Sequence, residues 1–375
     1  MEMNEGASST TGRPRRLMGC TQSIFDPASR FRFMQYVPHL EQAGWRVSHR
    51  PNIPSHHWQT TARLRQWRSL EKWAVKLLRK ASRWRDILGS ARHDVIFINR
   101  ELLGEELWCE QEMIRHNPRV IFDFDDAIFL GASREKRIEW ICRNAAWVTA
   151  GNERLAAFAR KVTDRVTVIP SVVEVEKYER ARHDSIRDPV RVGWLGSNLS
   201  IEQTLFHYLE MFSRLQERLG FEFVIASKPR PKLPVGAGLR WSYVEWSPAV
   251  EENISRHIDI GLMPLVDEEF QRNKCGMKIV QYMAGALPVV VSPLGVNREM
   301  IERSGAGFLA NSESEWHEAI AALVRAPALR KDMGTRGRAY CESNYSLRVW
   351  LPTLLEILDR VASKSEGRDA KSRNR

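Results

Sequence analysis

A chain of 375 residues, 43% hydrophobic and 27% charged, is long enough for two hydrophobic cores and has the balance of a globular protein. No apolar run approaches the roughly 18 residues of a membrane span, and the amino-terminal stretch MEMNEGASSTTGRPRR lacks the apolar centre of a secretory signal. The formal net charge of +11 points to an anionic partner, whether diphosphate, anionic lipid or nucleic acid.

Residues 1–14 are rich in Ser, Thr and Gly and read as a disordered tail. A short strand is expected over 16–20. A helix is expected over 28–43, closed by Gly44 and started or kinked by Pro38. Arg32 lies near its start. Residues 63–92 hold ten Lys/Arg against two acids, Glu71 and Asp86. Trp67, Leu70, Ala74, Leu77, Ala81, Trp84 and Leu88 recur there at three-four spacing, an apolar stripe with Lys76, Arg79 and Lys80 mostly off it. Such a helix either packs its stripe on a sheet and exposes its charges or lies on an anionic membrane. No reader helix or zinc spacing favours nucleic acid.

Buried-strand patterns at 94–99 (DVIFIN) and 119–124 (RVIFDF) flank a helix expected over 101–116. The second strand ends in Asp123-Phe124-Asp125-Asp126. Carboxylates at a strand's carboxyl end can orient a hydroxyl or accept its proton, and Asp126 also has the type to cap a turn. A helix at 134–143, a strand at 147–150, a helix at 152–160 capped by Asn152 and a strand at 166–170 complete a first domain over 15–180. Polar residues 181–189 form the linker.

The alternation restarts over 190–345. A strand at 190–195 leads through Gly196 and Ser197 into a helix over 201–219, with Ser200 as its expected N-cap. Gly196 and Ser197 let backbone N–H groups approach a phosphate. Two strand-length apolar runs, 258–264 and 287–292, enclose a charged loop and a short helix. Lys274, Lys278 and Gln281 stand at i, i+4, i+7, so a helix starting near Lys274 lines them on one face and turns Ile279, Val280 and Met283 to the core. Two cations, an amide and the Gly276 backbone beside helix N–H groups suit a diphosphate and sugar hydroxyls; a solvated basic face is the alternative. Further helices follow at 297–303, 312–325, 329–340 and 347–361, before a polar tail at 364–375. The whole reads as α/β, two doubly wound domains. Cys20, Cys109, Cys142, Cys275 and Cys341 form no CxxC pair or zinc spacing and read as reduced thiols of a cytoplasmic protein.

DIGLMPL at 259–265, KCGMK at 274–278 and QYMAGALPVVV at 281–291 together resemble the donor segment of family 4 glycosyltransferases. VRVGWLGS at 190–197, residues 150–170 and DFDDAIF at 123–129 extend the resemblance over most of 17–360. It implies a GT-B fold: two Rossmann-like domains facing across a cleft, with the helix at 346–363 returning to the first. It implies a retaining transferase that uses a nucleoside-diphosphate-sugar and no metal. It puts Arg32 at the cleft and Asp125-Asp126 on the acceptor-side His-Asp of relatives. The two glutamates of the family's donor motif fall on Asn273 and Gln281, amides that still bond ribose or sugar hydroxyls but without charge. The Arg and Lys that relatives carry after Gly196 are missing, so Lys274 and Lys278 take more of the diphosphate charge. The expected acceptor is a glycan or lipid-linked glycan of cell-surface polysaccharide synthesis, met at the inner face of the plasma membrane. A GT-B sugar-nucleotide epimerase and a non-enzymatic basic protein acting through 63–92 are the alternatives. No cofactor, metal or nucleic acid is expected.

Overall fold

The structure, a computed structural model, describes residues 13–53, 69–104, 106–183, 188–234, 236 and 238–363. Trp67, positions 184–187 of the expected linker, and most of the two expected tails (1–12 and 364–375) lie outside the described residues.

The first sheet contains β1 (Arg15–Ser23), β2 (Trp45–Ile53), β3 (Val95–Asn99), β4 (Val120–Phe124), β5 (Trp147–Ala150) and β6 (Val166–Val168), in the order β2-β1-β3-β4-β5-β6. Every residue of β3 and β4 is buried, as expected of parallel strands covered on both faces. The helices between these strands are α1 (Pro27–Arg32), α2 (Val37–Gln42), α3 (Ser69–Ser90), α4 (Trp108–His116), α5 (Ala132–Asn144) and α6 (Glu153–Arg160). The second sheet contains β7 (Arg191–Leu195), β8 (Glu222–Ser227), β9 (Trp241–Glu245), β10 (Ile260–Met263), β11 (Val289–Val291) and β12 (Gly307–Leu309), in the order β12-β11-β10-β7-β8-β9. Its helices are α7 (Asn198–Gln203), α8 (Leu209–Leu219), α9 (Pro248–Glu252), α10 (Glu269–Arg272), α11 (Met277–Ala284), α12 (Val296–Ser304), α13 (Glu313–Arg325), α14 (Pro327–Asn344) and α15 (Leu347–Ser363). The core beside this sheet packs Trp194, Phe212, Phe223 and Trp316. The expected α/β architecture of two doubly wound sheets is what the chain forms.

The chain divides into two compact units. One is Met1–Phe122 with Asn144–Trp147 and Ile357–Arg375; the other is Asp123–Arg143 with Val148–Glu356. In the first, Arg15 pairs with Asp359 and Arg360 lies 5.0 Å from the ring centre of Trp147, which ties the end of α15 down.

Several local expectations change. The helix expected over 28–43 is broken at Phe33 (φ −135°), leaving α1, a tight turn at Met34–Tyr36, and α2 with Pro38 in its first turn. The strand β2 has no counterpart in the sequence reading. It lies at the sheet edge and carries Pro51, and an edge strand needs neither continuous apolarity nor every N–H. The helix expected from 101 starts at Trp108. The helix expected over 201–219 is two, with a turn at Leu205–Tyr208 between them. Thr204 folds its hydroxyl back onto the Ser200 carbonyl at 2.7 Å where α7 ends.

The largest departure is α3. Leu77, Leu78, Trp84 and Leu88 are 51, 67, 43 and 63% exposed, and Ala81 is exposed too. The covered face carries Arg83, Asp86, Ile87 and Ser90. Arg83 pairs with Asp86 at 3.1 Å and donates to the carbonyls of Arg50 and Thr21 at 3.2 and 3.4 Å. A buried guanidinium is tolerated because an anion and strand-end carbonyls meet it. Over the described turns the apolar stripe is therefore not packed on the sheet. Among the described residues no helix is long and apolar enough to cross a membrane.

Candidate active site

The second unit gathers most of the candidates around the start of α11. This helix begins at Met277, with Gly276 in the left-handed region (φ 69°) at its N-cap. A Cβ on Gly276 would stand 2.8 Å from Met300 Sδ and 3.1 Å from Val296 Cγ2, so both the turn and the packing require glycine. Lys274 thus stands in the loop before the helix, not on its face as the spacing suggested. The loop still brings it beside Lys278, and the two cations repel each other electrostatically. Both are half-buried. Burial lowers the pKa of Lys274; burial and Lys274 together lower that of Lys278 to about 7, and the Asp126 carboxylate opposes both shifts. Ile279, Val280 and Met283 fill the core as their spacing predicts.

Lys278 Nζ donates to Ser200 Oγ at 3.0 Å and lies 4.7 Å from the ring centre of Trp194, a cation–π contact. Gly196 follows Trp194 closely: a Cβ there would sit 2.6 Å from the indole and 2.9 Å from Lys278 Cε. Ser197, not Ser200, caps the helix that follows, accepting from Ser200 N at 3.3 Å. This frees the Ser200 hydroxyl to face Lys278. Tyr282, one turn after Lys278, accepts from Leu195 N at 2.9 Å and fixes α11 to the end of β7. Lys228, just after β8, is paired with Glu245 at 3.0 Å.

The carboxylates at the end of β4 separate by role. Asp123 is buried and accepts from Thr149 Oγ1 at 2.7 Å, so it joins two strand ends and offers no open D-x-D pair. Asp125 and Asp126 are half-buried. The Asp125 carbonyl accepts from Cys275 Sγ at 3.1 Å, which seats this turn against the lysine loop. Asp126 is the carboxylate felt by both lysines.

Asn273 donates from Nδ2 to the Glu269 carbonyl at 2.8 Å, closing α10, and Gln281 is 5% exposed within α11. Arg32 is buried in α1 and belongs to the first unit, as do Lys76, Arg79, Lys80 and Trp84. Ser200 as a partner of Lys278, Trp194 beneath it and Tyr282 were not singled out from the sequence. Only the position of Tyr282, four after Lys278, hinted at a shared helix.

Residues 189–326 match a family profile described as "Glycosyl transferases group 1". No curated protein matches the chain in sequence. Solved structures share the fold. A sucrose-phosphate synthase from Thermosynechococcus elongatus superposes with a TM-score of 0.69 at 14% identity, over 92% of this chain and 99% of that one. A glycosyltransferase from Rickettsia africae gives 0.68 at 16% identity, over 93% and 99%. Anabaena HepE, solved with UDP and glucose, gives 0.63 at 12% identity, over 91% and 99%. The fold is GT-B, and with the group 1 domain the protein is a glycosyltransferase, an enzyme of EC 2.4. The non-enzymatic alternative falls with that match.

Proposed function

We propose that the enzyme moves a sugar from a nucleoside-diphosphate-sugar to a hydroxyl of a glycan or lipid-linked glycan, with retention and without a metal. The observation that carries this reading is the pair Lys274 and Lys278 at the start of α11. Burying two cations side by side is costly, and the depressed pKa of Lys278 records that cost. A diphosphate is the counter-ion that relieves it. As the glycosidic bond breaks, negative charge grows on the departing nucleoside diphosphate. Fixed cations and the first N–H groups of α11 stabilise that charge without reorganising. Gly196 and Ser197 bring a second backbone turn to the phosphates. Asn273 and Gln281 serve ribose or sugar hydroxyls. Asp125 and Asp126 orient the acceptor hydroxyl and receive its proton. Retention is carried over from the resemblance to family 4.

The test is a thermal-shift panel of UDP, GDP, dTDP and ADP with their sugar conjugates. A ligand at 100 times its Kd stabilises by about 2.7 kcal/mol, a shift of several degrees. One base shifting selectively supports the reading. Silence from all of them at millimolar concentration overturns it.

The exposed face of α3 favours a lipid setting for the acceptor. Leu77, Leu78, Trp84 and Leu88 offer apolar area, and Lys76, Lys80 and Arg85 flank it with charge. We read the enzyme as cytoplasmic and peripheral on the inner face of the plasma membrane, with lipid-linked glycan as acceptor.

A further inference from the structure

We propose that Asn152 is a positioning residue for the donor loop: it grips the residues on either side of Lys274 and so sets both lysines for a diphosphate. The inference rests on the donor-site reading above. Asn152 is buried and opens α6. Its Oδ1 accepts from Leu155 N at 2.9 Å, an ordinary N-cap. A cap needs only an acceptor, and Ser, Thr or Asp would supply it. The amide also carries two hydrogens. Its Nδ2 donates to the Asn273 carbonyl at 2.8 Å and to Cys275 Sγ at 3.3 Å. Cys275 in turn donates to the Asp125 carbonyl at 3.1 Å.

The surroundings leave little slack. A Cβ on Gly151 would stand 2.5 Å from Cys275 Sγ and 3.0 Å from Asp125 Cα. Gly151 N donates to the Phe124 carbonyl at 2.9 Å, and just before it on the same two strands Thr149 Oγ1 donates to Asp123 Oδ1 at 2.7 Å. The ends of β4 and β5 are thus one fixed frame, and Asn152 and Cys275 fasten the lysine loop to it. Gly276 follows directly and starts α11, so the register of Lys278 is inherited from the same frame. A loop ordered before the ligand arrives spares the binding step that ordering entropy.

The decisive variant is Asn152→Asp in the full chain. It keeps the capping oxygen, removes both N–H donors and turns an anion toward the Asn273 carbonyl. Asn152→Ser, which caps but is too short to reach the loop, is its companion. Two quantities are read: amide hydrogen exchange over 273–280 without ligand, and the Kd of UDP, GDP, dTDP and ADP by calorimetry. We expect melting within a few degrees of the parent, exchange faster by about tenfold or more in the loop, and Kd raised about tenfold. With donor saturating, kcat stays within about threefold while the donor KM rises. Unchanged exchange in both variants overturns the grip. Faster exchange with unchanged Kd overturns its service to the ligand. If the parent itself binds none of the four nucleotides, the donor-site reading fails and takes the ligand half of this proposal with it, whereas the exchange result still reports the grip.

Discussion

Two clusters of lysine stand in this molecule under opposite conditions. In α3, exposed Lys76 and partly exposed Lys80 share one acceptor, Glu106, at 3.4 and 2.8 Å. With Trp108 Nε1 also donating to it, the Glu106 carboxyl is held down to about 2. In the donor loop, Lys274 and Lys278 are half-buried, repel each other, and face one carboxylate, Asp126. The first cluster has its counter-charge built in and sits in water. The second sets two half-buried cations against the one Asp126 carboxylate. Equal counts of lysine therefore mean different things: the α3 pair contributes a field, and on the function proposed above the half-buried pair takes its anion from the nucleoside diphosphate.

The comparison breaks most sharply at the reaction itself. Asp125→Asn is expected to lower the transfer rate about 100-fold with donor affinity unchanged, read as kcat in a donor-saturated assay; full activity would remove Asp125 as the acid/base. Lys278→Ala should weaken nucleoside-diphosphate binding by about 10- to 100-fold, since a charge-assisted contact is lost. The same change at Lys76 should leave nucleotide affinity untouched, and calorimetry on both variants sets the two clusters against each other.

A pH series sharpens the contrast. Ligand-free Lys278 loses its proton near pH 7, so above that pH nucleotide binding must take a proton up. Affinity should fall as pH rises from 7, by at most about tenfold per unit. The stability of the ligand-free protein should move the other way from this lysine. Its folded pKa is lowered, so between about 7 and the ordinary lysine value of about 10.4 the unfolded chain binds the extra proton and stability rises with pH. Lys278→Arg should flatten both slopes. Slopes unchanged in that variant would mean that another group titrates.

The smaller effects lie on α3. Leu78→Ser with Leu88→Ser should reduce sedimentation with anionic vesicles several-fold while nucleotide affinity stays at parental level. Glu106→Gln, which releases Lys76 and Lys80 from their built-in anion, should strengthen vesicle binding about twofold, an effect that vanishes in high salt. Equal binding to neutral and anionic vesicles would leave the exposed apolar face as an interaction surface of another kind.

The sequence alone determined the α/β alternation, because strand-length apolar runs and helix periods are local signals. It also singled out the Gly276 backbone for a phosphate and Asn152 as an N-cap, from residue type and neighbours, while the left-handed turn at Gly276 appears only in the structure. Asn152 was legible as a cap and nothing more, because its second set of bonds runs to residues 121 and 123 positions away. Spacing put Lys274 on the helix of Lys278; the loop before Gly276 gathers them without a shared helix. Period likewise grouped Leu77, Ala81, Trp84 and Leu88 on one face but could not say which face would be covered. That was decided by Arg83, whose guanidinium finds Asp86 and the carbonyls of Arg50 and Thr21 on the sheet side. Local pattern fixes what shares a face; only the tertiary contacts, formed between segments far apart in the chain, decide what that face meets.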